Sequence, residues 1–155
     1  MKLSEILSAD VIKVALEAED KEEVIAELVE QLVRSGRVPD RNAAVRCIFE
    51  REQRQSTGIG HGVAIPHGKD TSIPRLTLAV GVSQIGIEFD SLDGEPVYLI
   101  FLVLAEENNP GPHIQALAEI AKLLQDGDIY KRLRSATDVD GVLAAIGQFE
   151  ESQTT

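Results

Sequence analysis

Cysteine is nearly absent, with one in 155 residues. No disulfide can form within such a chain, no paired-thiolate zinc site is possible, and a reducing compartment suits it. Positive charge is scarce as well. Lys and Arg total 15 against 26 Asp and Glu, a formal charge of −11, with a pI near 4.7. A surface of that sign repels nucleic acid and anionic membrane, so no nucleic-acid partner is expected. Long hydrophobic runs are missing. The longest, residues 97–105, falls well short of the ~20 that span a bilayer, so no stable membrane insertion is expected. The opening MKLSEILSAD has no apolar stretch behind its lysine, so a signal peptide is not expected there. A cytoplasmic protein is therefore expected. What is present is ordinary for a globular chain: 43% hydrophobic and 26% charged residues. The length suits one domain, expected over residues 1–150, followed by a polar tail at 151–155; disorder is expected only from 150 onward.

Helical periodicity opens the chain. Asp20 can cap a helix with Glu23 reaching back, and Val24, Ile25, Leu28, Val29 and Leu32 form its apolar stripe. Gly36 suits a left-handed stop. A second helix is expected from Asp40, carrying Ala44, Val45, Ile48 and Phe49 toward Arg51 and Glu52. Residues 56–68 then hold four glycines and a proline in thirteen positions. That density predicts a shaped loop that turns tightly and approaches a ligand closely. Residues 76–83 read as a strand, 87–89 as a short strand closed by the turn at Asp93 and Gly94, and 97–105 as a central strand covered on both faces. Residues 106–112 read as a proline-rich loop. A helix with His113, Ile114, Leu117, Ala118, Ala121 and Leu124 follows, then short helices over 128–134 and 138–149. The interspersed elements predict an α/β fold, a mixed β-sheet flanked by helices on both faces.

The three histidines are the candidates for chemistry. Imidazole is suited to nucleophilic and proton-carrying work near neutral pH. His67 lies between Pro66, which fixes the backbone, and Gly68, which removes bulk; Gly60 and Gly62 can expose backbone N–H groups as an anion nest. A bare Pro-His-Gly tripeptide also suits a loop histidine that caps backbone groups. His61 reads as a solvated loop side chain and His113 equally as a polar helix-start residue. Arg51 offers planar, permanently charged donors for phosphoryl oxygens, or is simply a solvated helix end. Cys47 falls in the apolar pattern of the second helix and reads as buried. A metal-dependent hydrolase using His61, His67 and His113 is disfavoured, because the spacing is not a helical pair and the loop supplies no carboxylate ligand.

Together, Arg51-Glu52 and the run from Ser56 to Gly68 (STGIGHGVAIPHG) resemble the signature of phosphotransferase-system enzyme IIA domains of the fructose/mannitol type. The segment from His113 to Leu124 resembles the family's second histidine region. The MKLSEIL opening and Lys69 after the loop look most like the nitrogen-related subgroup. The resemblance implies an enzyme IIA fold and a phosphohistidine carrier. By it, His67 accepts a phosphoryl group from the histidine of HPr or of its nitrogen-branch relative. His113 is the second active-site histidine and Arg51 stabilises phosphoryl charge. Ser56, Thr57, Gly58, Gly60, Gly62 and Gly68 form a phosphoryl-cradling loop. No cofactor or metal is implied. A regulatory, nitrogen-related role is the first expectation, with regulatory target proteins downstream. The alternative is sugar uptake, passing the group to an enzyme IIB cysteine. A binding module that signals without turnover is a further possibility, against which the intact loop argues.

Overall fold

The computed structural model describes residues 1–153. Two 3-10 turns, Leu3–Glu5 and Ala9–Val11, lead into strand β1 (Ile12–Val14). Helices α1 (Lys21–Arg34) and α2 (Arg41–Arg54) follow. Both start as their sequences require: Asp20 accepts from the Glu23 N–H and Asp40 from the Ala43 N–H. The Glu23 carboxylate reaches back to the Glu19 N–H, and Gly36 ends the first helix region at φ +79°.

The middle of the chain builds one sheet. Its strands are β2 (Gly58–Gly60), β3 (Val63–Ala64), β4 (His67–Asp70), β5 (Thr77–Ile87) and β6 (Val97–Glu106), joined by β1. The glycine-rich stretch expected as a loop is thus three short strands. Gly60 and Val63 pair across a two-residue hairpin whose central residues, His61 and Gly62, have φ of 57° and 79°. Positive φ at both centres is the twist-compatible geometry for such a turn, so glycine density here makes a hairpin possible. The expected strand over 76–83 runs on to Ile87, absorbing the start of the short strand expected at 87–89.

Strand β6 is the axis. It runs antiparallel to β5 on one edge; on the other it pairs in parallel with β3 near its start and with β4 near its end. Residues 97–105 are all buried except half-buried Tyr98, so helices and loops cover both faces, as a continuous apolar run requires. The mixed sheet with five helices matches the expected α/β class.

Three boundaries differ from expectation. Helix α3 runs Pro110–Gln125, three residues ahead of the expected start. Prolines belong in a first helical turn, where N–H groups lack partners anyway. Its buried stripe is Ala116, Ile120 and Leu123, rotated by about one residue's 100° from the expected one. Ile114 is left 66% exposed. Helices α4 (Gly127–Arg134) and α5 (Val139–Gln153) complete the fold. Helix α5 includes residues 151–153, expected as a polar tail; Phe149 anchors it against the core and Ser152 Oγ donates to the Phe149 carbonyl. Thr154 and Thr155, the rest of that tail, lie outside the described residues. Among the described residues, no helix is long and apolar enough to cross a membrane.

Candidate active site

The parallel pairing of β4 with β6 places His67 opposite Val103 and Gly68 opposite Leu104, with the Val103 N–H bonded to the Pro66 carbonyl at 2.9 Å. Helix α2 lies directly on β4. A Cβ at Gly68 would stand 2.7 Å from Cys47 Sγ and 2.9 Å from the Cys47 carbonyl carbon. Glycine is needed here for close approach, since only a bare Cα lets α2 and β4 meet. Arg51, one helical turn beyond Cys47, is thereby carried to the same place as His67. The first turn of α3 brings His113 in from the far side.

The result is an open cavity of about 450 Å³, lined by His67, His113, Arg51, Arg54, Lys69 and Glu107, with Gly68 in its wall and Ile114 at its edge. The two imidazole rings stand edge to face at 73°, with centroids 5.4 Å apart. His67 Nδ1 lies 2.8 Å from the Ile65 carbonyl oxygen. A carbonyl only accepts, so Nδ1 carries the proton and Nε2 keeps its lone pair. His113 Nε2 is buried and has no hydrogen-bond partner among the described residues. Arg51 spends one donor, Nη1 to the Gln55 carbonyl at 2.8 Å, which closes the last turn of α2. Four of its five N–H groups stay uncommitted by that bond.

Both rings are held toward the neutral form. Burial is the main cause of the lowered pKa of His67, helped by the Arg51 charge and opposed by the Ile65 bond and the Glu52 carboxylate. Burial likewise lowers His113, followed by His67 and Lys69. The Cys47 thiol, half-buried beside the cavity, is pushed up to about 12 by burial and then by Asp70 and Glu50. It is no nucleophile at neutral pH.

The structure thus gathers Arg51, His67, Gly68 and His113. The other five residues expected to cradle a phosphoryl group are not in the cavity lining, and each has different work. Ser56 Oγ donates to the Phe89 carbonyl and accepts from the Gly58 N–H. Thr57 is buried and gives both its N–H and its hydroxyl to Glu52, at 2.9 and 2.6 Å. Gly58 packs against Ser91, where a Cβ would stand 2.3 Å from its Oγ. Gly60 faces Asp93, and Gly62 faces Tyr130 and Tyr98 beside a separate cavity. Glycines serve the hairpin and strand packing here as readily as they would a ligand. His61 is exposed on that hairpin, its N–H bonded to Asp93. Arg54 was not singled out from the sequence, and Lys69 was noted only as a mark of the nitrogen-related subgroup. Arg54 lies three residues after Arg51 on one helix face and Lys69 two after His67 on one strand face, a spacing from which both could have been found. No cluster of His, Cys, Asp or Glu suited to a metal occurs among the described residues.

Two imidazoles thus stand edge to face in a cavity lined by Arg51, Arg54 and Lys69 together with Glu50 and Glu107. Comparison with known proteins identifies the class. The family model for "Phosphoenolpyruvate-dependent sugar phosphotransferase system, EIIA 2" matches residues 5–148, and the chain belongs to that family of phosphoryl-transfer proteins. It is 38% identical over 151 residues to the PTS system fructose-specific EIIABC component of Bacillus subtilis, covering 97% of this chain and 24% of that protein. The chain therefore spans about a quarter of that relative's length. It superposes on the crystal structure of nitrogen regulatory protein IIA-Ntr from Neisseria meningitidis with a TM-score of 0.85 at 32% identity, covering 93% of this chain and 98% of that one. It also superposes on enzyme IIA mannitol in its complex with phosphorylated enzyme IIB mannitol from Escherichia coli, with a TM-score of 0.78 at 27% identity, covering 92% and 97%.

Proposed function

We propose that this protein, acting as one unit over residues 1–150, carries a phosphoryl group on His67 Nε2 and takes it from the phosphohistidine of HPr or its nitrogen-branch relative. The observation that carries this reading is the bond from His67 Nδ1 to the Ile65 carbonyl. It fixes the proton on one nitrogen and leaves the other with its lone pair free to act as a nucleophile. In the transfer, the His67 Nε2 lone pair forms the new N–P bond while the donor's N–P bond breaks in line. The bonding pair returns to the donor ring, and the His67 proton stays on Nδ1, hydrogen-bonded to the Ile65 carbonyl. Neither ring needs a proton from solvent.

Charge develops on the equatorial oxygens during such a transfer, and positioning with electrostatic stabilisation supplies most of the catalysis. Arg51 has donors of the right geometry for two of those oxygens. The partnerless Nε2 of buried His113 gains a partner when a phosphoryl oxygen arrives, which removes the cost of an unsatisfied buried polar group. The positive end of the α3 dipole lies on the same side.

The similarity to IIA-Ntr over nearly the whole of both chains supports a regulatory role, in which phosphorylation sets which target proteins are bound. The second reading is sugar uptake with an enzyme IIB cysteine as next acceptor. It is favoured by the 38% identity to a fructose-specific component and by the mannitol IIA–IIB complex. In both the protein works in the cytoplasm. Incubation with phosphoenolpyruvate, enzyme I and the carrier should add one acid-labile phosphoryl group per chain, detected by mass and by ³¹P resonance. His67→Ala should abolish it; retained labelling in that variant overturns the assignment. Adding enzyme IIB then separates the two downstream readings by whether the label leaves.

A further inference from the structure

Behind the cavity lies a polar chain whose links beyond Ile65 the transfer chemistry above does not use. Glu52 is 7% exposed. Its carboxylate accepts from the Thr57 N–H and Thr57 hydroxyl, and pairs with Lys21 Nζ at 3.1 Å. The chain continues through the backbone: the Ile65 N–H donates to the Thr57 carbonyl at 3.0 Å, and the Ile65 carbonyl accepts from His67 Nδ1 at 2.8 Å. Five residues therefore link the start of α1 to one imidazole ring by consecutive bonds.

Lys21 also meets Asp90 at 3.5 Å and lies over the Phe89 ring at 5.2 Å, yet two features of this chain run against stability. Lys21 occupies the first position of α1, the positive end of the helix dipole, where a cation is disfavoured. A buried ion pair in place of apolar packing adds little net stability, since desolvation offsets the attraction. Such pairs are best explained when they fix one arrangement among several. Here the arrangement is specific. Glu52 adjoins Arg51 on α2, and Thr57 begins the arm that ends at Ile65. One carboxylate thus ties the helix bearing the arginine to the strand segment bearing the histidine's acceptor.

We infer that Glu52 and Thr57 are positioning residues: by holding Ile65 they set which nitrogen of His67 carries the proton and where its ring points. This rests on the reading of His67 as phosphoryl acceptor for its consequence, but not for its geometry. The hydrogen bond made by one ring nitrogen decides the state of the other, and outer partners that orient a reacting group affect activity without touching substrate.

The test uses ¹⁵N-histidine resonances of the full chain together with transfer kinetics. Wild-type His67 should show the proton on Nδ1 in its neutral form. Thr57→Val keeps the side-chain shape and removes the hydroxyl bond. It should yield a mixture of tautomers and lower kcat for transfer from the carrier about tenfold, leaving KM for the carrier unchanged. Thr57→Ser should restore both readouts, a rescue that mere packing does not predict. Glu52→Gln retains an acceptor for the Thr57 N–H but loses the pairing with Lys21, and should reproduce the tautomer mixture. If Thr57→Val does not fold, the Glu52→Gln spectrum decides. A folded variant with the wild-type tautomer and wild-type kcat overturns the inference. Absence of labelling on wild-type His67 overturns the proposed function instead, while the tautomer spectrum still decides this inference.

Discussion

His67 and His113 illustrate how one cavity sets the protonation state of the rings it holds. Both rings are half-buried, and burial is the first cause of each lowered pKa. A neutral ring is what a lone-pair nucleophile needs, so the same burial that shapes the cavity prepares the chemistry. It also couples pH to stability. The unfolded chain binds protons at these rings near the ordinary value of 6.5, whereas the folded chain does so only at lower pH. The contribution is fully present above about 6.5 and is lost as pH falls through the folded values. Lowered carboxylates such as Asp10 and Asp70 start from 3.8 and act only in more acid solution. Urea midpoints should therefore fall as pH drops below about 6.5, and the double variant His67→Gln, His113→Gln should flatten that slope. An unchanged slope in the double variant would show that the decline arises elsewhere. His67 itself was legible from its Pro-His-Gly setting and family resemblance. Its partner Ile65 was not, because a backbone acceptor has no sequence signature.

Helices were the most legible elements, since a cap and a stripe at 3.6 spacing are local signals. Asp20 and Asp40 start α1 and α2 as the sequence requires. The glycine-rich segment misled because glycine permits a hairpin turn, a close helix approach and an anion nest alike. Only tertiary contacts tell which it is. Ser56 and Thr57 went to the Phe89 carbonyl and to Glu52, and Gly68 went to the α2 contact. The last assignment predicts a particular mutational pattern. Gly68→Ala introduces a methyl 2.7 Å from Cys47 Sγ, 2.9 Å from the Cys47 carbonyl carbon and 3.0 Å from its oxygen. Overpacking of this kind costs ~1–3 kcal/mol and here pushes β4 and α2 apart. Adding Cys47→Ala removes only the thiol contact and leaves both backbone ones. The double variant should recover less than half of the lost stability in denaturant unfolding. Full recovery would mean that α2 tolerates a shift and that its register on β4 is not held by Gly68.

Charge belongs to the whole molecule, and its distribution is uneven. The chain carries a formal −11, yet the cavity that holds His67 and His113 gathers three cations, Arg51, Arg54 and Lys69, against two carboxylates, Glu50 and Glu107. Under the proposed function, an approaching phosphoryl group would meet a locally cationic lining on a molecule whose overall field repels it. Local contacts must win at short range, where they are least screened. The same imbalance bears on folding. Ion pairs such as Arg37 with Asp10 at 2.8 Å and Arg34 with Glu30 at 3.2 Å involve well-exposed partners, and each contributes ~0–1 kcal/mol at most. Eleven uncompensated negative charges repel one another over the full surface, and the screening length shrinks from ~30 Å at 0.01 M salt to ~8 Å at 0.15 M. Repulsion reaching across the molecule is therefore removed more completely than attraction at contact distance. Raising potassium chloride over that interval should increase the melting temperature, by ~2–4 °C for each kcal/mol of repulsion relieved. An equal osmolality of sucrose should not reproduce the steep part of the rise at low concentration. A fall in melting temperature instead would mean that paired charges, with the buried Lys21–Glu52 contact foremost, outweigh the net excess.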